Sequence, residues 1–74
     1  MDIPALVVQA GRDYGARHLS PYSVIEASIA GTPVLEKDGR KEWIVKVVAD
    51  NERLLFVQVL TWPDGRLLAK KLQL

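Results

Sequence analysis

The stretch "SPYSVIEASIAGTP", residues 20–33, decides what kind of fold this chain adopts. Ser20 is a good N-cap, and Pro21 suits the first helical position, where its missing N–H costs nothing. Gly31 stands where a left-handed residue ends a helix, and Pro33 prevents continuation. Between them Tyr22, Ile25 and Ile29 fall on one helical stripe, with Val24 beside it. Glu26 and two serines take the other side. These signals predict a short helix, one that must lean on something larger because ten residues alone are marginal in water.

Upstream, Leu6, Ala10, Tyr14 and His18 recur every four residues with Val7 adjacent, which predicts a first helix from about Ile3 to Arg17. Pro4 near its start agrees with this, and "ALVVQA" as an early strand is the alternative. Gly11 and Gly15 weaken a helix interior by about 1 kcal/mol each relative to alanine. Close approach to a sheet is one use for them, and fraying is another.

Downstream, turn residues punctuate apolar runs. Asp38-Gly39 in "EKDGRK" is a strong hairpin signal, "ADNER" supplies a second turn and "WPDGR" a third. The strands are then about Val34–Lys37, Lys41–Ala49, Leu54–Trp62 and Arg66–Leu72. The expected fold is α+β: two short N-terminal helices, within about 3–31, packed on one face of a four-stranded antiparallel β-meander over about 34–72. The 74 residues support one small domain.

Side chains alternate along a strand, so parity assigns faces. Trp43, Val45 and Val47 share one face, and an odd-length "ADNER" loop sets them opposite Leu55, Val57 and Val59 as a bed for the helices. The other face carries Ile44, Val48, Leu54, Phe56, Leu60, Trp62 and Leu68, interrupted by Lys46, Gln58, Arg66 and Lys70. A sheet with one wet face alternates more cleanly than this, and a large apolar patch marks an interface. Phe56, Leu60, Trp62 and Leu68, with Ile44, are the expected anchors, and Lys46, Arg66 and Lys70 the polar rim. A twisted sheet that shelters part of this face is the plainer alternative.

Composition narrows the chemistry. There is no cysteine and His18 is the single histidine, so neither a disulfide nor a typical zinc site is expected. The net charge of +1 is far from that of a dedicated nucleic-acid binder. "MDIPALVVQAGRDYG" lacks the basic and apolar regions of a secretion signal, and no apolar run approaches the roughly 18 residues of a membrane span. A soluble, cytoplasmic protein is the default. No G-x-S-x-G elbow surrounds any serine, Asp38 and Asp64 sit in turns, and His18 at a helix end suits the helix dipole better than a catalytic role. No enzyme, cofactor or metal function is therefore expected.

A helix–turn–helix over residues 7–31 lacks base-reading side chains, since its outer side offers Ser23, Glu26 and Ser28. A stacking platform of Trp43, Phe56 and Trp62 is divided between two faces. The leading expectation is a non-catalytic interaction or assembly module, with a homodimer as the simplest partner. The alternative is a small nucleic-acid-associated protein using Arg12, Arg17, Arg66, Lys70 and Lys71. "SVIEASIAGTPV" before "EWIVKVV", with "PDGRLLAKK" later, resembles the helix–GxP–strand–DGR order of β-lactamase inhibitor protein and of outer-membrane assembly lipoproteins, with a rhythm similar to PepSY-type domains. That resemblance implies a protein-binding domain rather than an enzyme.

Overall fold

A computed structural model describes residues 2–72. One helix, α1 (Ile3–Leu19), precedes five strands: β1 (Val24–Ile29), β2 (Val34–Leu35), β3 (Lys41–Ala49), β4 (Leu54–Thr61) and β5 (Leu67–Lys71). All pairings are antiparallel. The order across the sheet is β1-β3-β4-β5, with β2 also on β3. β1 covers Val45–Ala49 and β2 covers Lys41–Glu42, so the two lie end to end along one edge of β3. The fold is α+β as expected, with one helix rather than two and five strands rather than four.

The correction lies in residues 20–33. Ser20 closes α1 instead of opening a second helix, and the carbonyl of Leu19 accepts from the N–H of Tyr22 at 2.9 Å. Val24–Ile29 then pairs with β3. The register slips between Val24 and Glu26, a bulge that leaves Ile25 largely exposed. Beyond it Ala27 and Ile29 turn toward the core while Glu26 and Ser28 face away. Gly31 does adopt the left-handed conformation, φ 71°, but as the joint between β1 and β2 rather than a helix end. β-branched Val24, Ile25 and Ile29 also suit a strand better than a helix, and unpaired β3 edge groups supply the partner.

α1 begins where the Asp2 side chain accepts from the N–H of Ala5 at 3.1 Å, and it ends with Arg17 and His18 near the negative dipole end. Its buried stripe is Val7, Gly11, Gly15 and Leu19, one residue on from the expected Leu6, Ala10, Tyr14 and His18. Leu6 and His18 are exposed, and Ala10 and Tyr14 flank the contact. The glycines are the contact itself. A Cβ on Gly11 would lie 2.6 Å from Val45 Cβ, and one on Gly15 would lie 2.6 Å from Val47 Cγ1. Gly11 and Gly15 therefore let the helix backbone rest directly on the valines of β3.

The core consists of Val7 and Leu19 from α1 with Trp43, Val45, Val47, Ala49, Val57 and Val59 from the sheet. The predicted pairing holds: Trp43 opposes Val59, Val45 opposes Val57, and Val47 opposes Leu55. A single helix layer on a single sheet layer gives a shape only 17 Å across its thinnest direction.

Three hairpin turns share one design. Asp38, Asn51 and Asp64 each accept, through a side-chain oxygen, from the N–H of the arginine two residues on, at 3.0, 3.2 and 3.0 Å. The residue between is left-handed each time: Gly39 (φ 86°), Glu52 (φ 68°) and Gly65 (φ 93°). Matching main-chain bonds close each turn, from Glu36 to Arg40, Ala49 to Arg53 and Trp62 to Arg66. The middle turn places a glutamate where its siblings have glycine.

Candidate functional site: the uncovered sheet face and its ends

Because α1 packs on the odd-numbered residues of β3 and β4, the even-numbered ones project from the opposite face. Register arranges that face in rows. Glu26, Val48 and Leu54 form one row, followed by Ser28, Lys46 and Phe56, then Ile44, Gln58 and Lys70, and finally Glu42, Leu60 and Leu68. Among the described residues, no helix lies over it. Leu54 is 55 % exposed, Leu68 50 % and Phe56 41 %, high values for large apolar side chains.

The expected partner-binding residues behave unequally. Phe56 and Leu68 project, and Ile44 and Lys46 are half-buried between their neighbours. Leu60 is only 5 % exposed, so it supports the face from within and offers little of its own surface. Trp62 and Arg66 lie at the turn end, with the guanidinium 4.9 Å from the indole centroid. Arg66 Nε also donates to Asp64 Oδ2 at 2.9 Å. Lys70 is exposed beside Gln58. A shallow apolar depression of about 460 Å³ crosses the face between Ala30, Ile44, Leu54, Phe56 and Leu72. Sequence pattern did not single out Ala30, which faces Ile44 only because β1 is a strand.

The basic residues of the alternative function divide into groups. The Tyr14 and His18 rings stack at 4.1 Å, and the Arg17 guanidinium is 5.9 Å from the Tyr14 centroid. Tyr14 also shares a cavity of about 360 Å³ with Gln58, Lys70 and Lys71. Arg66 lies at the opposite end of β5, held by Asp64, and Arg12 is half-buried on α1. His18 is exposed and has no orienting carboxylate among the described residues.

No protein-family model, curated protein or solved structure matches this chain.

The likeness in element order is corrected by the fold itself, because the segment before Gly31-Thr32-Pro33 is strand β1 and not a helix. Among the described residues there is no cluster of three potential metal-binding side chains, and no helix is long and apolar enough to cross a membrane.

Proposed function

We propose that this chain is a non-catalytic interaction or assembly module that docks through the uncovered sheet face, with a second copy of itself as partner. The observation that carries this reading is the exposure of Leu54, Phe56 and Leu68 on a face that no described element covers. Phe56 and Leu68 are the anchors, Ile44 and Leu60 support them from beneath, and Lys46, Lys70, Arg66 and Trp62 form the surround. Four strands at their usual spacing, averaging about seven residues, present roughly 450 Å², so two faces together bury roughly 900 Å². That is the size of a weak, reversible association. The cysteine-free sequence fits a cytoplasmic setting.

Sedimentation equilibrium of wild type and Phe56→Lys tests this. The wild type should run at twice the chain mass and the variant at the chain mass, with unchanged circular dichroism. A monomeric wild type overturns self-association.

The grouping of Arg17, His18, Lys70 and Lys71 around Tyr14 favours a second reading, attachment to nucleic acid. Its mark is binding that falls steeply as salt rises, whereas apolar association changes little.

A further inference from the structure

We propose that the cavity at the turn end of the sheet, beneath the start of α1, binds a small aromatic or apolar molecule bearing one anionic group. The cavity is about 460 Å³, within the range of small-molecule sites, and its walls include Ile3, Pro4, Trp43, Trp62, Pro63 and Lys41. Strand parity sends Trp43 and Trp62 to opposite faces, yet both line this space because it lies at the end of the sheet.

Part of the wall is held in place by the protein's own contacts. Trp43 is almost fully buried, and its indole N–H donates to Thr61 Oγ1 at 2.9 Å, which sets the plane of the ring. The Asp38-Gly39 turn packs so tightly on Pro63 that a Cβ at Gly39 would sit 2.9 Å from Pro63 Cγ. The first turn of α1, which carries Ile3 and Pro4, is held by the Asp2 cap. Preformed walls spare a ligand the cost of ordering its site.

The sign of the ligand's charge comes from Lys41. It is the one charged residue lining the cavity, its Nζ is 6.0 Å from the Trp43 centroid, and it forms no ion pair among the described residues. Two of the carboxylates at this end have a guanidinium partner, Asp64 with Arg66 at 2.9 Å and Glu42 with Arg40 at 4.0 Å, while Asp2 and Asp38 accept from backbone N–H groups. An aromatic or apolar body lies mainly against Trp62, Ile3 and Pro4, because Trp43 is only 7 % exposed, while its anion meets the ammonium.

The probe is 8-anilinonaphthalene-1-sulfonate, followed by energy transfer from tryptophan, with its uncharged analogue N-phenyl-1-naphthylamine for comparison. Saturable binding of the sulfonate is expected, weakened about two- to fivefold by Lys41→Met and unchanged by Leu68→Lys on the uncovered face. The uncharged analogue should bind more weakly and ignore Lys41→Met. Lys41 is exposed, so Lys41→Met should keep the wild-type far-ultraviolet circular dichroism spectrum. Absent binding, binding indifferent to Lys41→Met, or binding lost in Leu68→Lys overturns the proposal. Trp62 borders both sites, but Lys41 lies outside the docking face and Leu68 outside this cavity, so the two proposals are tested separately.

Discussion

Beneath α1 the sheet shows Val45, Val47, Val57 and Val59, all medium-sized, β-branched and without exposed surface. On the reverse face the same two central strands show Ile44, Lys46, Val48, Leu54, Phe56 and Gln58, which mix sizes and polarity and stay partly open. The difference lies in what each face must fit. The helix rests at close range on the central valines, so that part of the covered face is uniform and intolerant of added volume, with the larger Trp43 and the smaller Ala49 toward opposite ends of β3. No described element of the chain lies over the reverse face, so its side chains need not fit one.

The largest effect should come from filling the helix seat. Gly11→Val should destabilise the protein by about 3 kcal/mol or more, since even its Cβ would meet Val45 at 2.6 Å. Urea unfolding measures it, and a cost below 1 kcal/mol would mean the helix does not rest there. Gly15→Ala should cost less when combined with Val47→Ala, because the closest obstruction at that site is Val47 Cγ1. Next comes a matched pair across the sheet. Val57→Ala, from the covered face, should cost about 2 kcal/mol, and Leu54→Ala, from the uncovered face, less than about 1 kcal/mol in the isolated chain. Equal costs, measured at concentrations where the protein is monomeric, would erase the distinction between the faces.

Smaller changes belong to the turns that join the strands. Glu52→Gly should stabilise by about 1 kcal/mol, because the glutamate occupies a left-handed conformation that glycine accepts freely. A lower urea midpoint for this variant would contradict the shared turn design.

The smallest effect concerns acid. The N–H of Arg66 bonded to the Asp64 carboxylate, helped by the arginine's charge, holds its pKa below the ordinary 3.8. A lowered folded value means the carboxylate's contribution is present above the unfolded pKa and is lost as pH falls through the folded one. Asp64→Asn should therefore slightly flatten the acid limb of the stability curve below about pH 4. At neutral pH its loss should be minor because the group is on the surface.

Local chemistry made much of this fold legible. Asp-Gly pairs and the odd-length "ADNER" loop located the turns, and alternation then paired Trp43 with Val59 and Val45 with Val57. Residues 24–29 misled for two physical reasons. The bulge at Ile25 breaks the period of two, so the apolar positions mimic a helical stripe. Ser-Pro at one end and Gly-x-Pro at the other serve a helix-to-strand corner as well as they serve a second helix. The helix seat was masked because a glycine contact carries no hydrophobic signal, which shifted the expected stripe by one residue. At the candidate site, parity identified the projecting Phe56 and Leu68, but it could not foresee that Leu60 is enclosed or that Trp43 and Trp62 meet around one end of the sheet.

The three repeated turns bear on how the chain reaches this structure. From β2 onward each strand pairs with its immediate successor across a corner only a few residues long, so the meander can zip up from contacts between near neighbours. Docking α1 on β4 and β5 joins parts of the chain that are far apart in sequence. Changes at the corners should accordingly alter how quickly the protein forms, whereas changes in the glycine seat should show chiefly in how quickly it comes apart.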